Sequence, residues 1–556
     1  MRHDSLVYAG LSVLCAFRSA RLWPVSFALL VVTGCQPDFR SVSTPGADPD
    51  PGQVADPPIL ADADAGAVPA PAPGPSFTPP ADLTPCEVEQ VLAFVNDPYT
   101  TASTLHGVGL DDTLAAAVVD GRGWADGEAL AAEPAMTGDA WRVLVGAAAD
   151  GCALPGGEPA FEVRFTEPQC DAVPAHGVPA GVRCYGSRAE QDDSRQAAGI
   201  VDHIVRWIDA TRRARETHPG RDVRIAMAYP IWSEWRIYEA LCRATAAGVR
   251  LDGYFDRGTE SDEPARLAAD PTCGPERIHL HALGGVTDYP DWRLMQLKMM
   301  LFDTGEPTTR LLFGSANMTT YGTSIHFENW VFGRFPSDSW FVDAHRCAST
   351  ALEADAYRED GTYPNVFRAT YDRCVGRIPG HRDPRFRVFF GPDPDMAAMD
   401  LLEGEVMEAA VTVDVAAQHF SAFELGRAIR DAARAPGIRT RLLLDDDTWY
   451  DDGDIGGGDR AMYDSLLAGE PMDVRFLQTN RHLDFGWQYQ HNKYVIMDGE
   501  SVFCGTGHFT SSAFRDNYET FYLIRQPELA SRFTSHFERL HSLGRAPETL
   551  PLESDY

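Results

Sequence analysis

The sequence predicts an α/β protein: two similar α/β halves around a pseudo-twofold cleft, preceded by a small helical domain. Three observations predict it. A strand–helix–strand pattern occurs twice, as "VRIAMAYPIWSEWRIYEALCRATAAGVRLDGYFD" (223–256) and "VTVDVAAQHFSAFELGRAIRDAARAPGIRTRLLLDD" (411–446). Each copy is followed by a lysine-centred segment, "RLMQLKMMLFD" (293–303) and "QYQHNKYVIMD" (488–498). Each then has a strand that ends in glycine, "LLFGSAN" (311–317) and "VFCGTGH" (502–508). Self-similarity over this length is an internal repeat, and the alternation of strand and helix calls for parallel or mixed sheets with helices packed on them. The halves are placed at 165–380 and 381–545, with "VRCYGS" (182–187) and "FRVFFGP" (386–392) as candidate opening strands.

What precedes the repeat reads in order. Arg18 and Arg21 lead into the apolar run "LWPVSFALLVV" (22–32) and then Val32-Thr33-Gly34-Cys35. A short apolar run behind basic residues is an export signal, too short to span a bilayer comfortably. The four residues resemble the lipobox of bacterial lipoproteins, which implies cleavage after 34, a lipid-modified Cys35, and residence at the outer membrane, periplasm or cell surface. Residues 35–84 are rich in Pro, Ala and Asp. They cannot bury enough apolar surface to offset ordering entropy, so a flexible tether is expected.

Residues 85–153 read as a helical domain bounded by Cys86 and Cys152. Its centre, "LHGVGLDDTLAAAVVDGR" (105–122), turns at Gly107-Val108-Gly109, with Ala115, Ala116, Val118 and Val119 expected to face inward. The stretch resembles a helix-hairpin-helix, with a weaker second copy at 135–148. Such hairpins often hold DNA phosphates, but Asp111 and Asp112 follow the turn here. Between the two cysteines stand 11 acidic residues, two Arg and no Lys. Acidic faces repel phosphate, so a structural or protein-contact role is favoured.

Nine cysteines follow Cys35, and an exported chain sits where disulfides persist. Pairing neighbours gives 86–152, 170–184, 242–273 and 347–374, and leaves Cys504 as a buried thiol. A formal charge of −33 argues against a broad polyanion-binding face. No CxxC or HExxH pattern suggests zinc, and neither a metal nor a cofactor is expected. The acidic stretch 445–459 offers Asp452 and Asp454 as calcium ligands; the full calcium-loop pattern is absent, and a plain loop is the preferred reading.

The spacing of the repeated motifs is matched. Lys298 and Asp303 stand five residues apart, as do Lys493 and Asp498; Asn317 and Glu328 stand 11 apart, as do His508 and Glu519. Lys298 and Lys493 are the only two lysines among 48 cations. Landing on the matched slots is one outcome among roughly a thousand pairs of cation positions, so these slots call for a compact ammonium rather than a planar fork. A phosphate oxygen in a narrow pocket makes that demand.

These residues resemble the phospholipase D superfamily, whose signature is H-x-K-x4-D, then G-S-x-N, then a Glu, given twice. The second half carries His491, Lys493, Asp498, Gly505 and Glu519, with Thr506 for Ser and His508 for Asn. The first half carries Lys298, Asp303, Gly314, Ser315, Asn317 and Glu328, with Gln296 for His. The resemblance implies two phospholipase D-like α/β halves and a metal-free phosphodiesterase working through a phosphohistidine. It assigns His491 as nucleophile, Glu519 as the group orienting it, and Lys298, Lys493, Asn317, Ser315 and Thr506 as phosphate ligands. Asp303 and Asp498 are mostly architectural. Gln296 can hydrogen-bond but cannot shuttle a proton. His508 is either a neutral donor replacing Asn or a relocated acid. His279, His281, His326 and His482 fill no motif slot and are read as core or surface residues. Three functions compete: a phosphodiesterase acting on phospholipid near its membrane anchor, a secreted nuclease disfavoured by acidity, and a degenerate binder of phosphate esters or a protein partner.

Overall fold

The computed structural model describes residues 78–166, 195–258, 262–285, 293–379, 382–446, 449, 459–479 and 488–550. The export signal, Cys35, the tether, the Cys170–Cys184 pair, His482, Asp452 and Asp454 lie outside the described residues.

Two seven-stranded mixed sheets carry the chain. The first runs β1 (Ala160–Thr166), β7 (Glu328–Pro336), β6 (Thr308–Gly314), β5 (Met299–Asp303), β2 (Arg224–Ala228), β3 (Arg250–Asp256) and β4 (Ile278–Leu283). The second has β8 (Phe386–Phe390), β14 (Thr520–Ile524), β13 (Ser501–Gly505), β12 (Lys493–Met497), β9 (Thr412–Ala417), β10 (Arg439–Asp445) and β11 (Asp473–Leu477) in the equivalent places. In each, the strand–helix–strand unit supplies the parallel pairs, and the lysine strand with its two successors adds antiparallel neighbours. A parallel connection needs a crossover, which helices 235–246 and 423–434 provide for β2–β3 and β9–β10; β3–β4 and β10–β11 are parallel as well.

Alternation along the strands builds three cores. Leu301, Phe313 and Val331 of the first sheet meet Tyr494, Ile496 and Tyr522 of the second in a shared core, where Phe313 and Tyr522 stack at 3.9 Å. Residues of opposite parity, such as Met300 and Phe302, or Val495 and Met497, pack outward under the helices of their own half. The sheets are therefore joined face to face by the same strands that carry the motifs.

The first sheet opens at Ala160–Thr166, ahead of the expected boundary at 165, and the candidate strand 182–187 lies outside the described residues. The segment "AFEVRFT" alternates apolar and polar side chains as an edge strand should, and β1 pairs antiparallel with β7 over its full length. Helices Pro85–Asn96, Ala102–Gly107, Asp112–Asp120, Gly127–Ala131 and Gly138–Ala148 form the helical domain. Ala115 and Val118 are buried as expected, whereas Ala116 is exposed, because Leu114 takes the inward place that a 3.6-residue period assigns. Asp111 caps the helix that follows the turn, its side chain accepting from the Leu114 amide at 3.0 Å. A carboxylate thus already occupies the amides that a phosphate would need.

This domain is fixed to the first half by buried charge. Asp97 accepts from Arg212 and Arg213, both at 2.5 Å. Asp150 accepts from Trp207 Nε1 at 2.6 Å and Arg334 at 2.9 Å. Disulfides join Cys86–Cys152, Cys242–Cys273 and Cys347–Cys374. Cys504 is a buried free thiol, pushed up to about 12 by burial. No helix among the described residues is long and apolar enough to cross a membrane.

Candidate active site at the junction of the sheets

The motif segments cross between the halves before entering their strands. The His491 amide donates to the Phe327 carbonyl at 3.0 Å, and the Phe327 amide donates to Tyr489 at 2.8 Å. The pseudo-twofold mate of this bridge runs from the Gln296 amide to Tyr518 at 2.9 Å and from the Tyr518 amide to Leu294, also at 2.9 Å. Lys493 begins its strand and Lys298 directly precedes its own, and each curls back: Lys493 Nζ donates to the His491 carbonyl at 2.5 Å, and Lys298 Nζ to the Gln296 carbonyl at 2.8 Å.

Each motif glycine is demanded by close approach. A Cβ on Gly314 would stand 2.1 Å from the Asn329 carbonyl oxygen, and one on Gly505 would stand 2.1 Å from that of Thr520. The following hydroxyl residue is thereby drawn onto the neighbouring strand. Ser315 Oγ accepts from the Asn329 amide at 3.0 Å and donates to Glu328 Oε2 at 2.5 Å. Thr506 Oγ1 accepts from the Thr520 amide at 2.8 Å and donates to Glu519 Oε2 at 2.6 Å.

The crossing decides which carboxylate serves which slot. His491 Nδ1 meets Glu328 Oε1 at 2.6 Å, so the orienting group is the glutamate of the opposite half, not Glu519. Glu519 has Thr506 as its hydroxyl partner and is drawn by Lys298. Two further expectations change. The hydroxyl hydrogens of Ser315 and Thr506 are spent on carboxylates, and a phosphate oxygen can only accept, so these residues position the glutamates rather than bind phosphate. Asp303 and Asp498 lie at the far ends of β5 and β12, roughly 17 Å along the strand from their lysines. There Asp303 takes a bidentate pair from Arg346 at 2.9 Å, and Asp498 accepts from the amides of Ala410, Val411 and Thr412.

Burial sets the electrostatics. Lys298, Lys493, Glu328 and Glu519 are each at most 2% exposed. Burial pushes Lys493 down to about 7 and lowers Lys298, with Glu328 and Glu519 pulling both the other way. The same burial raises Glu328 to about 7 against the pull of Lys493, and Glu519 to about 7 against that of Lys298. His491 is held neutral, first by burial and then by Lys493. Burial thus disfavours the charged form of all four groups, and a phosphodiester entering between the lysines would favour their ammonium forms.

Asn317 and His508, equivalent by position, each present an unpartnered buried atom, Oδ1 of Asn317 and Nδ1 of His508. Rotating the Asn317 amide would turn its NH2 to the same place. The His508 ring lies 5.2 Å from that of His491. Two histidines here fill no slot of the sequence signature. His419 follows β9, is held by Asp459 at 2.8 Å and stacks edge-on to His508 at 4.7 Å. His326 sits 5.8 Å from His491, but its Nδ1 accepts from the Tyr489 amide at 3.2 Å, as Asn517 Oδ1 accepts from Leu294 at 3.0 Å in the other half. Burial first, and then Lys493, hold His326 neutral, at about 4. The spacing of His326 two residues before Glu328, as Asn517 precedes Glu519, was the available signal; His419 had none. His279 and His281 lie on β4, away from the motif residues.

Residues 402–541 match the family model described as cardiolipin synthase, PLD-like domain. No curated protein matches the chain significantly. Among solved structures, Nuc of Salmonella typhimurium, a phospholipase D family member, is 24% identical with a TM-score of 0.24, over 29% of this chain and 97% of its own. NucT from Helicobacter pylori is 20% identical with a TM-score of 0.25, over 29% of this chain and 96% of its own. Phosphatidylserine synthase of Haemophilus influenzae Rd KW20 is 12% identical with a TM-score of 0.43, over 67% of this chain and 91% of its own. The matched residues run from before β9 into the last helix and include His491, Lys493 and Glu519: this stretch is similar to a PLD-like domain, and the first half repeats its topology strand for strand.

Proposed function

We propose that the protein is an exported, lipid-anchored phosphodiesterase that cleaves phosphate diesters, phospholipids foremost, through a phosphohistidine at His491. The observation that carries the reading is the His491–Glu328 contact at 2.6 Å, in a pocket holding both of the protein's lysines. Glu328 accepts a hydrogen bond from Nδ1–H, which leaves the Nε2 lone pair for phosphorus. As the N–P bond forms, the bond to the leaving oxygen breaks, and Lys298 and Lys493 neutralise the phosphoryl oxygens. Water then attacks phosphorus, and the N–P electron pair returns to His491. Asn317 and His508, with their unpartnered atoms, are the remaining phosphate contacts.

Phospholipid is preferred because the lipobox sequence would hold the site near headgroups, and because a charge of −33 opposes nucleic acid. Fatty-acid labelling of the wild type that Cys35→Ser abolishes is the expected result for the anchor. The decisive experiment for the chemistry is to trap the phosphoenzyme with labelled diester and locate it by peptide mass. Label on the peptide carrying His491, lost in His491→Ala, is expected. Tight binding of phosphate esters with neither label nor turnover would make the protein a binding module.

A further inference from the structure

His491 and Glu328 belong to a closed ring of contacts. Glu328 Oε1 meets His491 Nδ1 at 2.6 Å, and Glu328 Oε2 accepts from Ser315 Oγ at 2.5 Å. Ser315 Oγ in turn accepts twice from Asn329, from its backbone N–H and from Nδ2, both at 3.0 Å. Asn329 Nδ2 also donates to Asn492 Oδ1 at 3.1 Å, and Asn492 is the residue after His491. The ring passes twice between the halves, and Ser315, Glu328, Asn329 and Asn492 are all fully buried. Its direction is fixed. A hydroxyl has two acceptor sites and one hydrogen; Asn329 fills both sites, so the hydrogen goes to Glu328. With the Asn329 side chain turned round, Oδ1 would face a hydroxyl oxygen whose hydrogen is already spent.

The equivalent places in the other arrangement break the ring twice. Thr506 and Glu519 keep the hydroxyl–carboxylate pair, but Thr520 stands for Asn329 and Leu297 for Asn492. Leu297 lies in the shared core, and its side chain has no polar atom to offer across the halves. The slot without the histidine is thus the slot without the ring. A leucine at the equivalent place also shows that packing alone does not call for an asparagine. Asn492 Nδ2 is buried with no partner, which costs stability.

We propose that Asn492 and Asn329 are positioning residues for His491. They lock Glu328 through Ser315 and hold the histidine segment in register with it, so that Nδ1–H stays on Glu328 and the Nε2 lone pair is presented to phosphorus. The assignment rests on the phosphodiesterase reading above and deepens it. No proton passes along the asparagines, since an amide does not titrate near neutral pH.

The test compares wild type with Asn492→Leu and with Asn492→Leu/Asn329→Thr, which copies the other slot, on a nitrophenyl phosphodiester. In both variants kcat is expected to fall roughly 10- to 10²-fold. KM should change little, because the lysines, Asn317 and His508 are untouched. The unfolding midpoint of the double variant is expected to hold or rise. In a Glu328→Gln background Asn492→Leu should cost little more, because its effect passes through Glu328. The low-field proton resonance of His491 Nδ1–H, identified by its loss in His491→Ala, should weaken or move in both variants. An unchanged kcat or an unmoved resonance in the double variant overturns the proposal. So does a loss that adds in full to that of Glu328→Gln, or one that only follows a lower unfolding midpoint. A wild type inert on the diester sinks the phosphodiesterase reading itself; the resonance, read without substrate, still decides whether the asparagines hold the Glu328–His491 pair.

Discussion

His491 and Gln296 stand in equivalent slots, each with a lysine two residues on. Gln296→His completes the second slot, and the rate on alkyl phosphodiesters is expected to rise about 10²-fold, with nitrophenyl esters changing little. Glu328→Gln should act differently, because it strips the nucleophile of its orienting carboxylate. A loss of about 10²-fold or more on both ester classes is expected in steady-state kinetics, with the unfolding midpoint little changed. Equal spacings in the sequence were enough to find His491, both lysines and both glutamates. They could not say which glutamate serves which histidine, since Glu328 and Glu519 are both buried carboxylates at matched distance along the chain. That choice is made by a backbone crossing between halves, Phe327 to His491, which joins residues 164 positions apart. Ser315 was misread for a related reason: a hydroxyl in a phosphate signature looks like a ligand until its single hydrogen is traced to Glu328.

At the scale of the element, the glycines that end β6 and β13 carry the clearest prediction. Gly314→Ala and Gly505→Ala each drive a methyl into a backbone carbonyl of the adjacent strand, and Gly314 also has a φ of +154°. Neither strand can yield without parting the sheet. Each substitution is expected to cost roughly 2–4 kcal/mol, read from denaturant midpoints, and to disturb the hydroxyl–carboxylate pair beside it. The repeat made most elements legible: helices 235–246 and 423–434 and strands β2, β3, β9 and β10 fall where alternating patterns placed them. β1 was missed because a short edge strand far in sequence from its partner leaves only a seven-residue alternation. Asp111 and Asp112 opposed a phosphate-binding hairpin in the sequence, and the cap that Asp111 makes gives the physical reason.

At the scale of the whole molecule, buried neutral histidines set the acid limit. His326 and His345 are held at about 4 by burial, and burial lowers His491, His508 and His536 as well. The unfolded chain binds these protons near 6.5 and the folded one does not, so the histidines withdraw stability as pH drops from 6.5 towards 4, while Glu328 and Glu519, raised to about 7, add it over the same range. The histidine part, on the order of 3 kcal/mol each for His326 and His345 by pH 4, should appear as a thermal midpoint that falls more steeply with acid in Glu519→Gln than in wild type. Removing the Cys86–Cys152 disulfide, which closes a sequence separation of 66, is expected to cost about 4 kcal/mol. The helical domain should loosen first, held then by the Asp97 and Asp150 ion pairs. Three disulfides were readable from neighbouring cysteines because each closes within one domain; those ion pairs were not, since they join domains. The single histidine also has a stereochemical meaning. A junction with two imidazoles reads a diester alike in either direction, and either ester arm can depart. With Gln296 in one slot the symmetry is gone: on the proposed reading, attack by His491 expels only the arm opposite it, over the first half. An unsymmetrical diester therefore has one productive polarity here and should release one alcohol.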